Sequence, residues 1–194
     1  FERGKSMSKE TLITNVIGHV TIRDKETSEV LRDVYNAVHP ENMAKLIARS
    51  LARETNGFIY QIALGNGGTY LNASDQIVYR TPNVVGAATL YNETYAEIID
   101  DTDGAVPVGN SVTAAASPPP AITSLVVCTI EIDPAEPIGQ ASSDDVPANP
   151  DYVFDELGLK SSDGLLLTHV VFSPIAKTAN RGFTITYTLT VSVS

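Results

Sequence analysis

From Phe183 to Ser194 the chain alternates without a break. Phe183, Ile185, Tyr187, Leu189, Val191 and Val193 are apolar, and the residues between them are all Thr or Ser. A period of two predicts a β-strand with one buried face and one hydroxyl-lined face. Slipping its register by one residue would turn every large side chain outward, so the pairing is tightly specified. Alternation is less regular in "NVIGHVTIR", where Val16, Gly18, Val20 and Ile22 share a side, and a charged "DKETS" turn leads into "EVLRDVYNAV". Residues 16–38 therefore predict a β-hairpin. "SLVVCTIEID" is apolar on both faces at its start, the pattern of a strand with neighbours on each side.

One segment carries helical rather than strand spacing. In "HPENMAKLIARSLARETNG", Met43, Leu46, Ile47, Ser50 and Leu51 form a stripe, with Pro40 in the first turn, Arg49 and Arg53 near the end and Gly57 beyond it. This predicts a short amphipathic helix packed on a sheet. "GFIYQIAL" and "DQIVYRTPN" predict two further strands, and Thr89 to Ile99 fits either a strand or a helix. "VFDELGLKSSDGLLLTHVVF" predicts two strands around a turn in which Gly164 takes the positive φ.

Two regions lack a period. Residues 1–15 are polar, Met7-Ser8-Lys9 reads as a start of translation, and the basic opening is followed by no apolar segment, unlike a secretory signal. An extended amino-terminal arm is expected there. Around residues 100–121 the chain runs through "DDTDG", "VPVGN" and "AAASPPPA", and consecutive prolines cannot donate to a ladder. This predicts a long loop or an arm laid across a neighbour, whose removal leaves a folded monomer. The domain expectation is an arm at 1–15 and a single domain at 16–194 with an excursion at about 100–121. The fold class expected is mainly β: an antiparallel, jelly-roll-like β-sandwich with one short α-helix and long proline-rich loops.

Charge narrows the partners. Thirteen Lys and Arg against twenty-three Asp and Glu leave a net charge of −10, which repels a nucleic-acid backbone. No apolar run reaches the length of a membrane-spanning helix, so no membrane partner is expected. The single cysteine, Cys128, rules out an internal disulfide and suits a reducing compartment.

Each motif that might carry chemistry fails a specific requirement. "GNGGT" at 65–69 lacks the Lys-Ser/Thr ending of a phosphate loop, has Tyr70 where the dinucleotide pattern needs Gly, and precedes no helix. Its glycines are read as letting the chain reverse beside neighbouring backbone. "DDTDG" places Ile99 and Asn110 where a calcium loop needs acidic ligands. His19, His39 and His169 are far apart in sequence, and each is read as structural or exposed. Asp155 and Glu156 are adjacent, so on a strand they face opposite sides and form no acid/base pair. Cys128 sits among apolar residues as a core thiol. The sequence thus predicts no enzyme and singles out no catalytic, cofactor-binding or metal-ligating residue.

Three stretches carry a resemblance. "GHVTIRDKETSEVLRDVYNAVHPENMAKLIARSLA", then "GFIYQIALGNGGT" with "YRTPN", then "DELGL" with "LLLTHVVFSPIAKTANRGFTITYTLTV" resemble a family of tailed-bacteriophage virion structural proteins. The junction of that pattern falls at Phe172, Pro174 and Lys177. The resemblance implies a non-enzymatic component of the phage particle, assembled in the host cytoplasm. Its partners would be copies of itself and other phage structural proteins at the neck or tail. Two alternatives stand beside it: a capsid decoration protein, and a carbohydrate-binding module of a host-recognition fibre using Tyr60, Tyr70, Tyr79, Tyr91 and Tyr95.

Overall fold

The computed structural model describes residues 13–100, 106–116 and 122–193. Its organising strand is the alternating one. Here it runs Phe183–Val193, with Phe183, Ile185, Tyr187 and Leu189 buried and the threonines between them partly exposed. Numbering strands in chain order, β1 is Thr14–Asp24, β2 Val30–Val38, β3 Ile59–Gly65, β4 Thr69–Leu71 and β5 Ile77–Tyr79. They are followed by β6 (Glu93–Ile98), β7 (Ser111–Ala116), β8 (Thr123–Ile132), β9 (Val153–Ser161), β10 (Thr168–Ala176) and β11 (Phe183–Val193). Nine of these form one antiparallel sheet in the order β6-β3-β9-β10-β2-β1-β11-β8-β7, and β4 and β5 form a separate hairpin.

Register explains the core. β11 pairs with β1 from Thr14↔Val193 to Asp24↔Phe183, and with β8 from Thr123↔Ser192 to Ile132↔Phe183. The same pairing sets Val20, Tyr187 and Cys128 in one row and Ile22, Ile185 and Ile130 in the next, all fully buried. Cross-strand rows of this kind are the unit by which a sheet stabilises itself. The expected hairpin at 16–38 is β1 and β2, and β8 has a neighbour on each side, as its two apolar faces predicted.

The sheet narrows at one seam, where β10 and β2 share only Thr168↔Val38 and His169↔Ala37. Its two ends are joined through Asn110. The Asn110 amide donates to Ile98 O (3.0 Å) and Glu97 Oε2 (3.2 Å) beside β6, and its Oδ1 accepts from Glu131 N of β8 (2.8 Å). The sheet therefore curls far enough for one side chain to span from β6 to β8.

Several expectations need correcting. The stretch at 100–121 holds β7, paired along Ser111–Ala116 with β8, so deleting 104–121 would strip an edge strand. The residues are small and uncharged, a pattern with no visible strand period. Pro118, Pro119 and Pro120 lie outside the described residues, as does the expected arm up to residue 12, while Thr14 and Asn15 already belong to β1. Thr89 to Ile99 contributes a strand, β6. The helix α1 (Pro40–Leu51) starts where predicted, with His39 Nδ1 accepting from Asn42 N as the N-cap. Only Met43 and Leu46 of its stripe are buried, while Ile47 is 37% and Leu51 82% exposed. One face of a three-turn helix meets the sheet at two positions, and the rest of the stripe is left at the rim.

Candidate functional site

The glycine loop between β3 and β4 is held by a dense set of hydrogen bonds. Gly65, Gly67 and Gly68 do not have positive φ. They are small because the loop touches backbone: a Cβ on Gly67 would lie 2.7 Å from Asn92 N, and one on Gly68 2.7 Å from Asp155 O. Close approach, one of the two uses of glycine, is the one at work here.

The loop does hold an anion, and the anion belongs to this chain. Asp155 Oδ1 accepts from Gly68 N (2.7 Å), and Asp155 Oδ2 accepts from Thr69 N (2.8 Å) and the Thr69 hydroxyl. Glu156 Oε1 accepts from Gly67 N (3.1 Å) and Asn92 N (2.7 Å), and its Oε2 from Tyr91 N (2.9 Å) and His169 Nε2 (2.9 Å). Asp155 and Glu156, which strand alternation was expected to keep apart, both reach one loop. Gly68 lies directly over the β9 backbone, against Asp155 O, Glu156 Cβ and Val171 Cγ1, so amides on either side of it meet both carboxylates.

The tautomer of His169 follows from its partners. Asn83 N–H donates to Nδ1 (2.7 Å), so Nε2 carries the proton and donates to Glu156. Burial pushes the Glu156 carboxyl up, but the hydrogen bonds from His169, Asn92 and Tyr91 outweigh it and hold the group below the ordinary glutamate range. A carboxylate with a histidine is the makings of general-base chemistry. Here both side chains are fully buried and both carboxylate oxygens are taken up by internal donors. The arrangement ties together residues 67–69, 83, 91–92, β9 and β10, and it offers a substrate no access.

Other groups singled out by type fall apart in space. His39 is buried under the start of α1 with Nε2 against Gly86 O (3.0 Å), and His19 pairs with Asp33 at the surface (2.7 Å). Burial raises the Cys128 thiol to about 12. Lys177, known beforehand only as part of a motif, is fully buried and donates to Gln140 Oε1 (2.8 Å) and Thr178 O (3.0 Å). Burial lowers its ammonium to about 8. Phe172 of the same junction is core, and Pro174 O accepts from Arg32 (2.8 Å). Among the described residues, no three His, Cys, Asp or Glu side chains stand close enough to hold a metal ion.

The five tyrosines are only partly brought together. Arg80 lies over the rings of Tyr70 (5.5 Å) and Tyr91 (5.0 Å), Tyr95 stacks near Phe154 (6.3 Å), and Tyr60 meets Phe58 (6.2 Å). Tyr79 is opposite Thr69 on the β4–β5 hairpin. This hairpin exposes Tyr70 (49%) on one face and Leu71 (62%), Ile77 (46%) and Tyr79 (53%) on the other, an exposure that no single sequence pattern announced because its apolar residues are split across a turn. A second apolar feature is a groove of about 250 Å³ beside α1, lined by Val16, Met43, Leu46, Ile47, Phe58 and Val191 among others. Comparison with protein-family models, curated proteins and solved structures finds no match to this chain.

Proposed function

We propose that this chain is a non-enzymatic structural subunit of a tailed-bacteriophage particle, present in several copies at the neck or tail. The observation that carries the reading is the β4–β5 hairpin, whose four large apolar and aromatic side chains are about half exposed or more. Leu71, Ile77 and Tyr79 share one face of it, since their cross-strand pairs are two residues apart, and an exposed apolar face of that kind marks a contact surface. The groups capable of chemistry point the same way, since Asp155, Glu156 and His169 are committed to internal bonds. The phage assignment itself rests on the resemblance at 18–52, 57–69, 79–83, 155–159 and 165–191.

On this reading the curled sheet is a jelly-roll-like sandwich. Its leaves are β6-β3-β9-β10 and β2-β1-β11-β8-β7, hinged at the two-pair seam between β10 and β2. The carbohydrate-binding alternative has weaker support: Arg80 occupies a face of both Tyr70 and Tyr91, where a sugar would stack.

Cryo-electron microscopy of intact particles, with peptide mass spectrometry of the same particles, tests the proposal. Rings of this chain between head and tail support it. Copies at capsomer junctions replace it with the decoration role, and absence from particles overturns it.

A further inference from the structure

We infer that copies of this chain join head to tail, with the β4–β5 hairpin of one copy seated in the apolar groove beside α1 of the next. The inference deepens the structural-subunit reading by naming the partner surface.

The hairpin is built as a preformed projection. Leu71 and Ile77 are direct cross-strand partners, so their side chains share a face, and both are largely exposed. Its turn is held by Asn72 Oδ1, which accepts from Ser74 N (2.9 Å) and Gln76 N (3.0 Å). Little ordering is needed before it can dock. The groove is its counterpart in chemistry and size. Its lining is apolar except for Ser50, Gly57 and Asp100, and about 250 Å³ accommodates two aliphatic side chains.

Position decides the symmetry. The hairpin follows the Gly65 end of β3, whereas the groove is lined by Ile59 at the other end of that strand. Six residue steps separate these ends by ~20 Å. Two different patches at opposite ends of one molecule make a heterologous contact, which propagates into a ring or a filament.

Charge agrees with the pairing. Asp75 stands at the hairpin turn (φ 56°), and Arg53 (φ 58°) lies on the loop between the groove-lining Ser50 and Gly57. Neither forms an ion pair among the described residues. On a chain of net charge −10, this gives two copies one attractive match between surfaces that otherwise repel.

The test is sedimentation of the full chain over a range of concentrations. Leu71→Asp breaks the projection and Ile47→Asp breaks the groove, and both positions are exposed enough to leave folding intact, checked by circular dichroism. The wild-type chain is expected to assemble beyond a dimer, and each variant alone to stay monomeric. An equimolar mixture of the two variants is expected to stop at a one-to-one dimer, because a single intact projection meets a single intact groove. A wild-type chain that stays monomeric, either variant assembling like wild type, or a mixture without dimer overturns the inference.

Should Ile47→Asp unfold, charge reversal decides instead. Asp75→Arg and Arg53→Asp each raise the concentration needed for assembly about tenfold, and the double variant restores it. Failure of the double variant to restore assembly overturns the inference. An assembling chain absent from particles would sink the phage reading alone, while a particle component that is monomeric in solution would sink this contact alone.

Discussion

Glu156 Oε2 stands 2.9 Å from Nε2 of His169, and both side chains are sealed from solvent. The carboxylate accepts four hydrogen bonds, two on each oxygen. Replacing it with Gln keeps the shape but turns an NH₂ toward two donors. Glu156→Gln is expected to cost about 2–4 kcal/mol of unfolding free energy, measured by urea titration. A loss below about 1 kcal/mol would mean that the network is not a major support of the fold.

Acid should act through the same group. Glu156 is held below the ordinary 4.5 by the bonds that outweigh its burial, Asp24 is lowered chiefly by the Thr27 amide, and in Asp163 bonds from Ser161 and Arg49 outweigh burial. A carboxyl depressed in the folded state contributes stability that is complete above its unfolded pKa and lost as pH falls through the folded one. Stability is expected to decline below about pH 4.5, and less steeply in Glu156→Gln. Urea midpoints between pH 3 and 7 check both slopes.

Alkali should have the opposite effect through Lys177. Its ammonium, lowered by burial to about 8 from 10.5, loses its proton in the folded chain before the unfolded one does. Between these values the unfolded state binds more protons, so stability rises with pH by up to roughly 1 kcal/mol per unit. From about pH 9 the buried Cys128 thiol, and near pH 10 the buried phenols of Tyr95 and Tyr187, all raised by burial, begin to oppose it. Urea midpoints from pH 8 to 9 should climb for the wild-type chain and not in Lys177→Met.

Two glycines should answer substitution differently. Gly68→Ala drives a methyl to 2.7 Å from Asp155 O and should cost about 1–3 kcal/mol. Gly164 has φ +82° with open space around it. Asn tolerates that conformation, so Gly164→Asn should stay within about 0.5 kcal/mol. Thermal unfolding of the pair separates close packing from backbone handedness.

Asn110 joins the sheet's two ends through three bonds. Asn110→Ala should cost about 1–2 kcal/mol and speed hydrogen exchange at the Glu131 amide, which loses its acceptor. Unchanged exchange there would show that the ends hold together without it.

What could be read from the chain beforehand depended on how local its cause was. The faces of β11 follow from its own residues, since burying one side of a strand demands a period of two; the start of α1 at Pro40 and the turn at Gly164 are likewise set by neighbouring residues. The union of Gly68 with Asp155 spans 87 positions and left no mark on either segment taken alone. β7 escaped notice because Ser, Thr and Ala on an edge need no alternation. Leu51 kept its helical spacing without reaching the core, since spacing says which residues share a face and not how far the sheet extends beneath them.

β1 lies zipped along its whole length to β11, so residues 14–24 gain one of their two neighbours from the stretch at 183–193. Even the paired residues nearest in sequence, Asp24 and Phe183, leave the ribosome far apart in time. The β1–β2 hairpin can form early, but its outer flank must wait for the final strand before the central rows close. Closure of the central rows therefore waits on the synthesis of residues 183–193, and until then the flank of β1 stays available to any strand that arrives first.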